Sequence, residues 1–97
     1  MSENNIPNLD AMTREELMEF WRKWQRDGSR KEAAAMLGCS KGERPVGYIK
    51  AADNLANYAC NKATAMGLRL EGKIQAAVDY ESICDRIYQR LPEHARW

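Results

Sequence analysis

Cys39, Cys60, Cys84 and His94 are the side chains whose chemistry suits metal ligation or nucleophilic attack, and their spacing serves neither. The cysteines are odd in number and form no C-x-x-C pair, so they read as reduced, largely buried thiols rather than as a zinc site or a disulfide framework. A single histidine cannot complete a set of three or four ligands, and neither a metal nor a cofactor is expected. Cys39 follows a predicted helix end in a basic neighbourhood, the kind of setting reactive thiols occupy, yet no histidine stands near it in sequence to act as base. No phosphate-binding glycine loop or nucleophile elbow is present, and the carboxylates fall singly along polar helix faces. The expectation is a protein that is not an enzyme.

Charge offers the other chemistry. The formal net charge of +1 hides an asymmetry. Residues 1–21 hold one basic and five acidic groups, whereas residues 22–50 hold eight basic groups against three acidic ones, and residues 51–97 balance at six against six. The eight are Arg22, Lys23, Arg26, Arg30, Lys31, Lys41, Arg44 and Lys50. Gathered on one face they would attract phosphate, and spread around helices they would be solvated surface.

The elements that position these groups are helices. "MTREEL" carries a helix start: Thr13 as cap, Glu16 at the third helical position to close a capping box, and Met12 as a staple on Leu17. Leu17, Phe20, Trp21 and Trp24 then form one apolar stripe, with Glu19 and Lys23 spaced to pair on another side, and Gly28 ends the helix. Ser29 and Glu32 begin a second, short helix that Gly38 terminates in a left-handed cap. "GCSKGERPVG" has the glycine and proline content of a loop.

From Ile49 a single apolar phase runs through Ala52, Ala56, Ala59, Ala63, Met66 and Leu70, then Ala77, Tyr80, Cys84, Ile87 and Leu91. Only Lys73 breaks it. One domain cannot cover the apolar face of so long a rod, so Gly72 is read as a turn between two antiparallel helices, with Gly67 as the rival break. An alanine-faced helix is expected to nest against a bulkier one. The prediction is an all-α, four-helix domain spanning 1–97, with helices at about 13–27, 30–37, 46–70 and 73–91, the last two forming a long hairpin. Residues 1–10 read as a flexible N-terminus, and residues 92–97, after Pro92 stops the last helix, as a tail that docks through Trp97.

Two stretches resemble known families. Gly72, Ala77, Tyr80 and Cys84 match the turn glycine, alanine, aromatic and small residue of a single tetratricopeptide-like helical hairpin, which implies a closely packed helix pair used for protein contact. No second copy stands at that family's period. "EAAAMLGCS", from Glu32 to Ser40, resembles the first helix and turn of a helix-turn-helix, with Ala34 at the small position and Gly38 in the turn. The helix that would read bases is interrupted by Gly42, Pro45 and Gly47, which favours a short helix followed by a loop. In general look the chain also resembles small accessory proteins of bacteria and their phages.

The functional expectation is a non-enzymatic helical interaction or accessory protein that binds itself or another protein. Its contact residues would be Tyr48, Tyr58, Ile83, Tyr88 and Trp97, which flank the main stripe or lie in the tail. The alternative is a DNA-binding regulatory protein that uses the basic segment 22–50. No apolar run is long enough for a bilayer and the opening residues lack a secretory pattern, so a cytoplasmic protein is expected.

Overall fold

The structure, a computed structural model, describes residues 6–25, 33–39 and 46–97, the His94 side chain excepted. The fold is all-α: helix α1 (Arg14–Gln25), a helical turn α2 at 33–36, α3 (Val46–Leu70) and α4 (Ile74–Arg90). Short 3-10 turns at Leu9–Ala11 and Glu93–Ala95 flank them, and the described residues contain no strand. α3 is the central helix, packing against α1 and against α4. Among the described residues no helix is long and apolar enough to cross a membrane.

Local chemistry explains the boundaries. At the start of α1 the Thr13 N–H donates to Glu16 Oε1 at 3.0 Å and the Glu16 N–H donates to Thr13 Oγ1 at 3.2 Å, a closed capping box. Glu19 pairs with Arg22 at 3.8 Å on the exposed side of this helix. Two ends share one geometry. Gly38 (φ +96) and Gly72 (φ +80) lie in left-handed conformations. The Gly72 N–H donates to the Arg69 carbonyl and the Lys73 N–H to Leu68; Gly38 and Cys39 repeat this onto Ala35 and Ala34. Both are Schellman caps, which only glycine adopts without strain. α3 therefore runs through Gly67 unbroken and turns at Gly72, making the α3–α4 hairpin antiparallel.

The core departs from the single stripe read along α3. Besides Ala52, Ala56, Ala59 and Ala63, this helix buries Ala51, Leu55, Tyr58 and Ala65, so roughly half its circumference is covered. A helix held between two neighbours needs two buried faces, and the alanines let both approach closely. The bulk comes from α1, through Leu17, Phe20 and Trp24, with the Phe20 and Trp24 rings stacked at 4.4 Å. α4 adds half-buried Ile87 and Tyr88 to its fully buried Ala77 and Cys84. Leu70, expected on the apolar stripe, is 83% exposed. The reason is coverage: α1 begins at Arg14, whose guanidinium lies against Gly67, and stops short of the hairpin end.

The N-terminal segment also differs from expectation, whereas the C-terminal tail docks. Ile6 and Leu9 are buried in the core, so residues 6–10 are part of the packed domain, while residues 1–5 lie outside the described residues. Leu91 and Ala95 are buried as well, and the segment after Pro92 folds back onto the hairpin. The capping box expected at Ser29 and Glu32, the helix end at Gly28 and the segment from Ser40 to Pro45 lie outside the described residues.

Candidate functional site

The site is built where both chain ends meet the hairpin. Asn8 caps the first 3-10 turn, its Oδ1 accepting from the Asp10 N–H at 3.0 Å, and Leu9 anchors that turn in the core, which presents the Asp10 carboxylate to α3. Tyr58 and Lys62 stand one turn apart on α3, where both reach it. The Tyr58 hydroxyl donates to Asp10 Oδ1 at 2.5 Å, and Lys62 Nζ lies 3.5 Å from the same oxygen. From the other end, the Trp97 Nε1–H donates to Asp10 Oδ2 at 3.2 Å.

Trp97 is itself held by α4. The Tyr88 hydroxyl donates to the Trp97 carbonyl at 2.9 Å, and the Trp97 ring meets those of Tyr58 and Tyr88 edge-on, each at 4.7 Å between centroids. Arg96 donates through Nη2 to the Gln89 carbonyl at 3.0 Å and lays its guanidinium 5.6 Å from the centre of the Tyr88 ring. Beneath the cluster, Cys84 Sγ–H points to the Tyr58 carbonyl at 3.7 Å. An open cleft of about 430 Å³ remains, lined by Asn8, Asp10, Tyr58, Asp85, Tyr88, Gln89 and Trp97.

Protonation follows from these contacts. Burial pushes the Asp10 carboxyl up, but the hydrogen bonds from Tyr58 and Trp97 and the Lys62 ammonium outweigh it and hold the pKa below its ordinary value. Burial first, and then the bond to Asp10, push the Tyr58 phenol well above its usual range. The two pKa values are driven apart, with the proton firmly on Tyr58. That suits an anchoring hydrogen bond and not proton exchange near neutral pH. Burial also raises the Cys84 thiol to about 11, which leaves it protonated and a poor nucleophile.

The residues expected at an interface are thus partly gathered. Tyr58, Tyr88 and Trp97 form one ring cluster, while Tyr48 is half-buried against the main core and Ile83 is exposed on α4. Tyr58 is only 4% exposed, which corrects its expected place on the surface: its second-face position on α3 turns it inward. Of the basic residues, Arg22 and Lys23 are exposed on the last turn of α1 and Lys50 is exposed on α3. Arg26, Arg30, Lys31, Lys41 and Arg44 lie outside the described residues. Asp10, Lys62 and Asp85 were not singled out from the sequence. An Asn-Leu-Asp run after Pro7 is a turn signature that marks the first of them.

Among the described residues no three His, Cys, Asp or Glu side chains gather closely enough to hold a metal ion. Comparison with protein-family models, curated proteins and solved structures returned no match to this chain.

Proposed function

We propose that this is a non-enzymatic helical interaction protein that self-associates or caps a larger partner. One observation carries the reading: α4 leaves large apolar side chains exposed beside those it packs against the core. Its fully buried residues are the small Ala77 and Cys84, while Ile74 is 49% exposed and Val78 and Ile83 are each 39% exposed. Ile74 and Val78 stand one turn apart beside Leu70 at the hairpin end; Ile83 emerges on the other flank, next to half-buried Tyr80 and Ile87. Large apolar side chains left exposed along a helix are the pattern of a surface with a partner still to cover it. Size-exclusion chromatography with light scattering tests the self-association half. A mass above that of the 11.1 kDa chain supports it, and a monomer at high micromolar concentration removes it.

A second reading, nucleic-acid binding through the basic segment, is favoured by a separate feature. Lys50 on α3 and Arg90 on α4 flank one cleft with Gly47, Ala51, Asn54 and Pro92, and neither has a carboxylate among the lining residues. Such a site binds phosphate with steep salt dependence, each contact adding about 0.9 to the slope of log affinity against log salt. A salt titration on a mixed DNA duplex, with Lys50→Glu/Arg90→Glu beside the wild type, tests it. Absence of binding at about 50 mM salt removes it.

A further inference from the structure

We propose that the cleft formed by Asp10, Tyr58, Asp85, Tyr88 and Trp97 receives an arginine side chain from a partner polypeptide. The inference rests on the reading that the protein works by contact, and it is independent of self-association.

Shape and chemistry converge on a planar cation. The cleft, at about 430 Å³, is of the size that small ligand groups occupy, and four separate chain segments build it. Three of its lining residues, Tyr58, Tyr88 and Trp97, are aromatic and two, Asp10 and Asp85, are acidic, with no lysine or arginine among them. Asp85 is exposed and makes no hydrogen bond or ion pair among the described residues. Asp10 Oδ2 accepts one bond, from Trp97, and so retains a second acceptor site. Asn8 and Gln89 complete the lining.

The same cluster already takes a guanidinium: Arg96 lies over the Tyr88 ring. A guanidinium is favoured over an ammonium because it stacks flat on aromatic faces while its edge donates to carboxylates in a fork. An anion is disfavoured by the two carboxylates. After burial, both Asp10 and Asp85 help to raise the Tyr58 phenol, while at the Cys84 thiol the Lys62 ammonium opposes them.

The probe is N-acetyl-arginine N-methylamide, with the citrulline equivalent as an uncharged isostere, titrated into ¹⁵N-labelled protein at low salt while the Trp97 indole N–H resonance is followed. A Trp97→Phe sample assigns that signal. The expected result is a saturable shift with the arginine probe, at least about fivefold weaker with the citrulline probe and with Asp85→Asn, a loss equivalent to about 1 kcal/mol of charge recognition. An equal response to citrulline, unchanged affinity in Asp85→Asn, or no shift up to about 50 mM probe overturns the proposal. Asp85 is exposed, so its substitution leaves the fold in place. The titration reports on the cleft alone. A protein that binds the probe yet stays monomeric keeps this inference and loses self-association, and the reverse outcome does the opposite.

Discussion

Asp10 and Trp97, 87 positions apart in sequence, are joined by a hydrogen bond from the indole Nε1 to the Asp10 carboxylate at 3.2 Å. With Tyr58 as the third member, this bond closes both ends of the chain onto the α3–α4 hairpin. The Asp10 pKa is lower in the fold than its ordinary 3.8, so its contribution is fully present above that value and is lost as the pH falls through the folded value. Its side chain is 50% exposed, which holds the contribution to about 0.5–1 kcal/mol. Thermal melts of the wild type and Asp10→Asn should differ at pH 7, and the difference should shrink as the pH falls below 3.8. A difference that persists unchanged into acid would show that the carboxylate charge is not what holds the ends.

The two hairpin glycines predict effects of opposite sign. Gly72 has φ +80, so Gly72→Ala places a side chain in the left-handed region and should cost about 1–2 kcal/mol. Gly67 sits inside α3, where alanine is the better helix former by about 1 kcal/mol. A Cβ there would come within 3.2 Å of the Arg14 guanidinium, the movable end of an exposed side chain. Gly67→Ala should therefore stabilise, by up to that amount. Denaturant unfolding of the two variants measures both, and destabilisation by Gly67→Ala would mean that Arg14 is held in place.

Much of this fold is legible because its signals are local. Thr13 and Glu16 are three residues apart and bond reciprocally, and Gly72 beside Lys73 forms the turn that the interrupted apolar phase demands. On the second buried face of α3 only Leu55 carries a strong hydrophobic signal, and one such residue defines no stripe. Ala51 and Ala65 carry little hydrophobic signal, and Tyr58 reads equally as core or surface. The candidate site is less legible still, since Asp10 gains its role only from residues on α3 and at the far end of the chain. No spacing rule links such partners; they meet because Leu9 and Ala95 are each driven into the core nearby.

The capping box sets the start of α1 and thereby the position of Phe20 and Trp24. Thr13→Ala removes the side-chain acceptor for the Glu16 N–H and should cost about 1 kcal/mol. Thr13→Ser should restore most of the loss, as read from the denaturation midpoint.

Cys84 is 1% exposed, and its thiol is raised to about 11 from 9.0 by burial. Alkylation at pH 8 followed by mass spectrometry should modify Cys39 and Cys60, both partly exposed, and spare Cys84 until the protein unfolds. Because the neutral thiol is the form the fold favours, this stabilisation is complete below pH 9.0 and is lost as the pH rises towards about 11. Equal labelling of all three cysteines at pH 8 would show that the α3–α4 contact opens readily.

Self-association through the exposed apolar side chains of α4 is tested by sedimentation equilibrium on the wild type and on Ile74→Glu/Ile83→Glu across micromolar to high micromolar concentration. The expected result is a mass that rises with concentration above the 11.1 kDa of one chain for the wild type, and a monomer for the variant at every concentration. A wild type that remains monomeric throughout, or a variant that associates as strongly as the wild type, would contradict it.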